Sequence, residues 1–533
     1  MNQPISRRKV IQASAAVAAA GYFGFSARSY GNIIGANNDV RVGVIGFKSR
    51  GNSHIDAWTK LKGVRLVALC DADKDVLGKT LARLEGGKKA TPSTKPSSAT
   101  KPVAKADRKE MQGKPEEAAA PTTKPATKIE GYADLRKMLD NKDIDAISTA
   151  TPNHWHSLIV VWGCQAGKDV YVEKPISHNV WEGRQAVAAA RKYNRIVQAG
   201  TQARANDALG AAYKWIQEGG MGKIKVARGL CYKRRATIGL TEGPQEVPAS
   251  VDYDLWSGPA AKEAPHRKQF HYDWHWQWAY GNGDLGNQGI HQMDTARWAL
   301  GKNTLAPSVL SIGGRFGYKD DGETPNSQIV IQDYGDSLLI FEVRGLPKES
   351  GSGLMDKYRG QSVGTVVECE GGYLTDQGYT SSPMAYDYSG KLIKKFTMSK
   401  EKDDPAMKSD HFGNWIAAVR SRKQEDLNAD ILEGHLSSAL CHTGNISYRL
   451  GEKVKSKEIR EVLKDNPAAL ETFSRFRDHL EDNEVSLMSD NAVLGAALTM
   501  DVKTEKFTGD NAEKANKFLT REYRKPFVVP ESV

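Results

Sequence analysis

The chain has 533 residues, of which 39% are hydrophobic, 26% charged and 8% aromatic. This composition can build a large folded core, and it excludes collagen-like, fully disordered and disulfide-scaffold proteins. At roughly 150 residues per domain, the length predicts about three domains if the whole chain folds. The five cysteines form no CxxC pair and have no zinc-ligand spacing, so we expect them to pack in the core and predict no metal site.

The net charge of +11 is concentrated in two segments. Residues 1–38 contribute +4 and residues 86–128 contribute +6, which leaves +1 for everything else. The part of the chain that we expect to fold is therefore almost neutral, and its charge gives no reason to expect a nucleic-acid partner.

The N-terminus has the order of an export signal. Arg7, Arg8 and Lys9 precede an alanine-rich apolar run that ends at Phe25. Adjacent arginines before a mildly hydrophobic stretch resemble a twin-arginine signal, so we interpret residues 1–38 as a signal segment and expect a periplasmic or otherwise exported protein. The alternatives are a disordered basic tail and a membrane anchor. The apolar run is shorter than the ~20 residues that span a bilayer, and we expect no stable transmembrane helix.

Strands and helices then alternate along residues 39–200, which predicts a doubly wound parallel sheet of the Rossmann type. Residues 86–128 interrupt this pattern with six of the 21 prolines, many lysines and no aromatic residue, so we predict a disordered basic insertion. The predicted strands are 39–46, 64–69, 144–149, 169–172 and 195–199, and the predicted helices are 54–61, 76–84, 132–139, 155–166 and 181–193.

Longer strands without helical crossovers follow, which predicts a second, α+β domain over residues 201–450 with a large, open, mostly antiparallel sheet. Residues 451–533 are predicted as a C-terminal extension of charged helices and one short strand, 498–502. The fold class is therefore α/β. The predicted strands of the second domain are 226–232, 310–316, 328–332, 337–342 and 364–370, and the helices expected to flank its sheet are 293–300, 411–420 and 434–450.

The first strand leads into Gly46-Phe47-Lys48-Ser49-Arg50-Gly51, which fits the first and third glycines of a dinucleotide fingerprint. Lys48 stands at the second glycine position, where its ammonium could pair with a phosphate oxygen. Asp71 lies twenty residues beyond Gly51, where a carboxylate can accept both ribose hydroxyls and would repel a 2′-phosphate. We therefore predict NAD as the cofactor, in preference to NADP. The alternative is an ordinary strand–turn–helix with an exposed aspartate.

Glu173-Lys174-Pro175 follows the strand 169–172 at the edge where open α/β sheets bind their ligands. Proline cannot continue the sheet, so the chain should turn out of it here and direct Lys174 into the cleft. Taken alone, the motif would favour a surface Glu–Lys pair at a strand end, and the segments that follow reverse that preference.

Together these segments resemble the Gfo/Idh/MocA family, which includes glucose–fructose oxidoreductase and inositol dehydrogenase. The resemblance covers roughly residues 39–450. It rests on Val42–Gly51, Asp71, Thr151-Pro152-Asn153-His154-Trp155-His156, Glu173-Lys174-Pro175, Gly200-Thr201-Gln202 and Gly286–Asp294. It implies a Rossmann domain followed by an α/β domain with a large open sheet, and NAD(P)-dependent oxidation or reduction of sugars and polyols.

The resemblance also implies roles for single residues. Lys174 would be the active-site lysine, hydrogen-bonded to the reacting hydroxyl, and Glu173 would lie near the nicotinamide ribose. Thr151, Pro152, Asn153 and His156 would line the cofactor, and Gln202 would contact the substrate.

Gly286–Asp294 resembles the family's second catalytic element, D-x-x-x-H-x-x-D. His291 matches its histidine and Asp294 its last acid, whereas Asn287 replaces the first acid. An amide can hold a hydroxyl but cannot take up a proton at neutral pH. We therefore predict His291 as the catalytic base beside Lys174, with Asn287 and Asp294 as substrate-binding residues.

Four of the eleven tryptophans, including Trp274, fall within 23 residues, next to His275. Residues 273–278 alternate polar and aromatic side chains, so one set could face a cleft in which an indole stacks on a sugar ring. Core packing and a substrate platform that includes Trp274 and His275 both remain open at this stage.

The function predicted from these patterns is that of an exported oxidoreductase. It would transfer hydride between a nicotinamide cofactor and a hydroxyl of a sugar, polyol or glycoside, and we expect a homo-oligomer. The alternatives are a glycosidase that works by oxidation and elimination with retained NAD, and a sugar-binding module without catalysis.

Overall fold

The computed structural model of the protein describes residues 39–86, 128–378, 382–398, 410–488 and 491–533. The predicted signal segment and nearly all of the predicted basic insertion lie outside these ranges, so the expectations for both stay predictions. Within the described ranges, none of the helices combines the length and apolar character needed to cross a bilayer. All five cysteines are buried with free thiols.

The first sheet has six strands, all parallel, in the order β3-β2-β1-β4-β5-β6, which confirms the doubly wound Rossmann-like fold. Strands β4 and β5 are buried along their whole length, as parallel strands with helices on both faces should be. The strands are β1 (Val40–Ile45), β2 (Val64–Cys70), β3 (Glu130–Tyr132), β4 (Ala146–Thr149), β5 (Asp169–Val172) and β6 (Val197–Ala199).

Helices connect these strands and cover both faces of the sheet. In α1 the buried residues Gly51, His54, Ile55 and Trp58 recur at helical spacing, which places one stripe against the sheet. The helices are α1 (Gly51–Lys60), α2 (Lys74–Glu85), α3 (Leu135–Asp140), α4 (His156–Gln165) and α5 (Val180–Lys192).

The second sheet has twelve strands and is mostly antiparallel, as predicted, although β7 and β10 pair in parallel. Ten strands follow the order β14-β13-β12-β11-β7-β10-β9-β8-β16-β15, and β17 pairs with β8 and β18. The strands are β7 (Ile224–Tyr232), β8 (Ser308–Gly314), β9 (Ser327–Asp333), β10 (Leu338–Arg344), β11 (Val363–Cys369), β12 (Gly372–Asp376), β13 (Met384–Tyr386), β14 (Leu392–Lys395), β15 (Glu452–Val454), β16 (Ala492–Leu494), β17 (Leu498–Asp501) and β18 (Lys506–Thr508).

Helices also pack on both faces of this second sheet. One face meets a core that contains residues of α6, α9 and α11. The helices after α5 are α6 (Asp207–Gln217), α7 (Tyr253–Ser257), α8 (Gly283–Asn287), α9 (Gly289–Leu300), α10 (His411–Ser421), α11 (Ile431–Arg449), α12 (Ser456–Leu463), α13 (Pro467–Glu481) and α14 (Ala512–Lys517).

Residues 451–533 are built into the second domain to a greater extent than the predicted extension implied. They supply β15, β16, β17 and β18 to its sheet. Phe473 and Phe476 of α13 are fully buried against Ile329 and Ile340 on the other face of that sheet. The apolar positions of α13 are what covers this face, so residues 201–450 do not hold the complete domain.

Helix α10 does not flank the second sheet, contrary to our expectation for residues 411–420. Trp415, Ile416 and Val419 pack into the core of the first domain with Trp58 and Tyr171. The rings of Trp58 and Trp415 lie 5.3 Å apart. The apolar stripe of α10 thus packs on an aromatic surface of the first domain, and not on the second sheet as we expected.

Candidate functional site

A cavity of about 350 Å³ lies at the carboxyl edge of the six-stranded sheet, where β1 and β4 are neighbours and the chain order reverses. This is where doubly wound sheets bind their ligands. Residues 233–282 of the second domain, here called the roof segment, close the cavity from the other side. The predicted site residues that line it are Gly46, Phe47, Lys48, Ser49, Arg50, Asp71, Thr151, Pro152, Asn153, His156, Glu173, Lys174, Trp274, His275 and Asn287.

Two glycines shape the turn after β1. Gly46 has a φ of +72°, and a Cβ there would lie 2.9 Å from the Cα of Thr151, so the two strand ends approach too closely for a side chain. Gly51 does not line the cavity. A Cβ on Gly51 would collide with the carbonyl oxygen of Gly46, which fits the packing role of the third fingerprint glycine.

The carboxylate of Asp71 is fixed at the end of β2. It accepts from the amide of Phe47 at 3.1 Å and from the amide of Asp73 at 3.0 Å. Burial raises the pKa of Asp71 to about 6, although both amide bonds favour the charged form. Asp71 is therefore ionised at neutral pH and loses its charge in mildly acidic solution.

Glu173 is the most heavily bonded acid at the cavity. Its Oε1 accepts from Arg50 Nε at 2.8 Å, from Gln202 Nε2 at 3.2 Å and from His54 Nε2 at 3.1 Å. Burial would raise the pKa of Glu173, but the His54 hydrogen bond and the Arg50 charge outweigh it and hold this pKa well below its ordinary value. We call these four residues the Glu173 clamp.

The absence of a side chain at Gly200 leaves room for the Glu173 carboxylate of the clamp. A Cβ on Gly200 would lie 2.9 Å from Oε2 of Glu173 and 3.1 Å from its Cα. Gln202 also donates to the hydroxyl of Tyr171 at 3.1 Å and does not line the cavity. We predicted Gln202 as a substrate contact, but its side chain lies behind the cavity wall and its amide nitrogen donates to Tyr171 and Glu173, so it positions the Glu173 carboxylate.

Lys174 lies between the two domains, at the wall of the cavity. Its Nζ donates to the backbone carbonyl of Asn287 at 2.9 Å. Burial lowers the pKa of Lys174, against the opposing charge of Glu173. The peptide bond between Lys174 and Pro175 is cis. The ammonium is thus held at one place by a neutral acceptor, with its charge only partly balanced.

His291 lies in α9, four residues after Asn287, and is 6% exposed. It is not among the residues that line the cavity. Burial, followed by the charge of Lys174, lowers the pKa of His291 well below its ordinary value. The ring is therefore neutral at neutral pH, close enough to Lys174 to feel its charge, and one layer removed from the cavity wall.

Asp294 lies away from the cavity and is fully buried. Arg204 Nε donates to Oδ2 at 2.8 Å and to Oδ1 at 3.0 Å, and Ser437 Oγ donates to Oδ1 at 2.7 Å. We predicted Asp294 as a substrate-binding residue. The structure instead gives it a buried ion pair that joins α9 to the segment after β6 and to α11.

His156 joins the loops that follow β4 and β5. Its Nδ1 lies 2.6 Å from the carbonyl oxygen of Pro175, and its Nε2 lies 2.8 Å from that of Thr151. A neutral imidazole donates to one of them at a time. Asn153 Nδ2 donates to Oδ1 of Asn282 in the roof segment at 3.0 Å. These contacts fix the loops after β4 and β5 and join them to the second domain.

Aromatic side chains of the roof segment form one wall of the cavity. Trp274 and His275 both line it and stack on each other, with ring centroids 3.7 Å apart. Residues 273–276 form a short 3-10 helix, so the polar and aromatic side chains are not divided between two faces as their alternation suggested. Trp276 points elsewhere and lies 5.2 Å from the guanidinium of Arg235. Burial lowers the pKa of His275 to about 3, so this ring is neutral.

Several groups at the site were not predicted from the sequence. Lys233 and Arg235 follow β7 and line the cavity, and Arg235 pairs with the buried Asp284 at 2.6 Å. His271 meets Asp73 at 2.9 Å and closes the roof segment over the first domain. The one signal for His54 was its spacing of three from Gly51, which puts it on the buried stripe of α1. Within the described ranges, no cluster of side chains could hold a metal ion.

Two family descriptions match the chain. Residues 87–201 match "Oxidoreductase family, NAD-binding Rossmann fold", and residues 219–341 match "Oxidoreductase family, C-terminal alpha/beta domain", both of the Gfo/Idh/MocA family. The matches fall in the same order as the two sheets. The chain is thus similar to both domains of this oxidoreductase family, including its NAD-binding domain.

Curated relatives are similar over part of the chain. Levoglucosan dehydrogenase of Pseudarthrobacter phenanthrenivorans is 27% identical over 221 residues, which are 39% of this chain and 49% of the relative. Glycosyl hydrolase family 109 protein 1 of a Shewanella species is 28% identical over 153 residues, or 29% of this chain and 26% of the relative. The chain thus spans about half the length of the first relative and about a quarter of the second.

A solved structure of levoglucosan dehydrogenase, in complex with NADH and levoglucosan, has the same fold. It superimposes with a TM-score of 0.50 and 15% identity over 76% of this chain and 95% of the other. The likeness extends across both domains.

We predict that Gly200→Ala lowers the free energy of unfolding by about 1–3 kcal/mol, because the added methyl must displace the Glu173 carboxylate or its strand. Gly78→Ala is the matched control. It lies within α2 with no atom within 4 Å of the new methyl, so it should stabilise the protein or leave it unchanged. Urea denaturation measures both, and equal stability of the two variants would show that the clamp has room to adjust.

Proposed function

We propose that this protein is a nicotinamide-dependent oxidoreductase that acts on a CH–OH group of a sugar, polyol or glycoside. One observation carries the proposal. The Lys174 ammonium lies at the wall of a cavity that has a nucleotide-type turn on one side and stacked aromatic rings on the other. A charged group that faces both is placed to act on a hydroxyl between them.

The residues present fit a dinucleotide. The close approach at Gly46 leaves room for a diphosphate at the turn before α1, and the Asp71 carboxylate at the end of β2 can accept the hydroxyls of a ribose. Thr151, Pro152 and Asn153 continue this wall toward Lys174. NAD is the expected form and NADP the less favoured one, because a 2′-phosphate would meet the charge of Asp71. When bound, the nicotinamide ring exchanges a hydride with the substrate carbon.

Lys174 and the residues around it can bind and deprotonate the hydroxyl on the substrate carbon that exchanges the hydride. The ammonium can donate to the reacting hydroxyl and oppose the negative charge that grows on the oxygen as its proton leaves. Its hydrogen bond to the carbonyl of Asn287 keeps it oriented. We retain His291 as the proposed base, because its ring is neutral and close to Lys174; since it lies behind the cavity wall, the proton would reach it through an intervening group.

The aromatic wall supplies a surface for the substrate ring. Trp274 presents an indole and His275 a neutral imidazole, so the pair can stack on the apolar face of a sugar while polar groups bind the hydroxyls. The similarity to levoglucosan dehydrogenase supports an anhydrosugar or a related carbohydrate as substrate.

Affinity for NAD should fall as the pH drops through about 6. The pKa of Asp71 is raised to about 6 in the free protein, and the protonated carboxyl accepts hydrogen bonds poorly, so the Kd should approach a tenfold rise per pH unit below 6. Isothermal titration between pH 5 and pH 8 measures this. Asp71→Asn should bind more weakly and without the pH dependence. Asp75→Asn, exposed on α2, should keep the wild-type profile. A wild-type Kd that is constant over this range would exclude Asp71 as the ribose acceptor.

His291→Asn should retain NAD binding and lose about 10²–10⁴-fold in turnover, the usual contribution of one general base. The readout is single-turnover reduction of NAD by a panel of sugars and glycosides. His275→Asn is the matched control, because it removes an imidazole from the cavity wall and should mainly weaken sugar binding. If His291→Asn reacts at the wild-type rate, the proton acceptor lies elsewhere, and Lys174 is the next group to test.

A glycosidase that oxidises and then eliminates is the second candidate, supported by the similarity to a glycosyl hydrolase family 109 protein. Product analysis separates the two. The oxidoreductase yields a ketosugar, whereas the glycosidase releases an aglycone with no net change in NAD. The position of Lys174 at the cavity wall speaks against a binding module without catalysis.

We also propose export through a twin-arginine route, on the pattern of Arg7 and Arg8 before an apolar run. Replacing both arginines by lysine in the full chain should retain the protein in the cytoplasm of its host, while Lys9→Gln should leave export intact. Cell fractionation and immunoblotting measure the distribution. The same distribution for the double variant and the wild type would contradict this route.

A further inference from the structure

A second cavity of about 540 Å³ lies across Asn282 from the cofactor cavity. Asn282 accepts from Asn153 of the first cavity at 3.0 Å and itself lines the second. The volume is in the range of small-molecule sites. Its walls come from five segments of the chain: residues 178–179, residues 261–282, Glu323, residues 442–449 and residues 517–522.

Arg449 is the unusual group in this cavity. Its guanidinium carbon lies 5.0 Å from the ring of Trp278 and 4.4 Å from the ring of Phe518. Across the described residues, it makes no hydrogen bond and no ion pair. The two rings contact the guanidinium through cation–π interactions and take up none of its N–H donors, and a guanidinium with free N–H donors can bind a carboxylate through two parallel hydrogen bonds.

The other two cations of the wall are already engaged. Arg521 donates to the carbonyl oxygens of Ala279 and His154 and pairs with Glu182 at 3.0 Å. Lys517 pairs with Glu513 at 3.0 Å on the surface. Arg449 is therefore the cation of this wall that has no ion-pair partner among the described residues.

Carboxylates are a second polar component of the wall, beside side-chain amides such as those of Asn179 and Asn445. Glu263, Glu323 and Glu522 line the cavity, and Glu323 accepts from the backbone amide of Trp278 at 2.6 Å. Glu323 lies near enough to Arg449 to raise the pKa of the guanidinium, although burial lowers it overall. Carboxylates accept hydrogen bonds from hydroxyls and repel other anions. The wall thus suits one negative group at Arg449 on a molecule that is otherwise rich in hydroxyls.

We propose that this second cavity binds a carbohydrate acid, with the carboxylate on the edge of Arg449 and the hydroxyls on the glutamates. The cavity is separate from the catalytic one, so the proposal does not depend on the oxidoreductase activity. The acid could be a free monosaccharide or the terminal unit of a longer chain, and the two present the same carboxylate and hydroxyls.

D-glucuronate is the probe, and D-glucose, which lacks the carboxylate, is its control. Isothermal titration with the full chain should detect a glucuronate-binding event that depends on Arg449 and that glucose and inorganic phosphate do not produce. Arg449→Gln should weaken glucuronate binding about 10- to 100-fold, the contribution of a charge-assisted pair. Lys517→Gln, a charge change on the same wall, should bind as the wild type does. A disaccharide that ends in glucuronate shows whether a longer chain also fits.

Three outcomes would overturn the proposal. They are no glucuronate binding by the wild type, equal binding by the wild type and Arg449→Gln, and phosphate binding as tight as that of glucuronate. Arg449→Lys keeps the charge but not the fork, so it should bind more weakly than the wild type at an unchanged Tm, and it serves if Arg449→Gln fails to fold. Lys174→Ala must bind glucuronate normally, because loss of binding there would place the probe in the first cavity.

Discussion

A buried carboxylate requires hydrogen-bond donors, and Glu173 has three, each from a different segment of the chain. Arg50 belongs to the turn before α1, His54 to α1 itself, and Gln202 to the segment after β6. All three meet one carboxylate oxygen. Because an unsatisfied buried charge is costly, these segments are held in one arrangement. Because Lys174 follows Glu173 in the chain, the same contacts also fix the position of Lys174 and of this edge of the cavity.

The second domain takes part in the same construction. Asn287 accepts from Lys174, and Asn282 accepts from Asn153, so each contact joins a loop of the parallel sheet to α8 or to the residue just before it. His271 and Asp73 add a third link at the far end of the cavity. The site is therefore an interdomain structure, and a shift of either domain would change the position of the Lys174 ammonium relative to the aromatic wall.

Most of the residues at the cavity were predictable from the sequence. Strands that alternate with helices form a parallel sheet, and a parallel sheet brings the carboxyl ends of its strands to one edge. Gly46, Asp71, Thr151 and Lys174 each follow a predicted strand, and the structure brings them together at that edge. Side-chain partners were not predictable in the same way. Asp294 fits a family motif, yet Arg204 lies ninety residues earlier, and no local pattern shows that the two form a buried pair. Helix α10 was misassigned for the same reason, since its apolar stripe fits either sheet.

The position of α10 has a consequence for the order in which the chain can fold. Trp415 covers Trp58 and Tyr171, and His411 Nε2 bonds to the carbonyl of Ala199 at the open edge of β6. During synthesis, the six-stranded sheet is complete more than two hundred residues before this cover emerges. An aromatic surface and an unpaired strand edge would stay exposed through that interval. The first domain can therefore complete its core only after α10 has been synthesised. A fragment that stops near residue 200 would expose apolar aromatic surface and would be prone to aggregate.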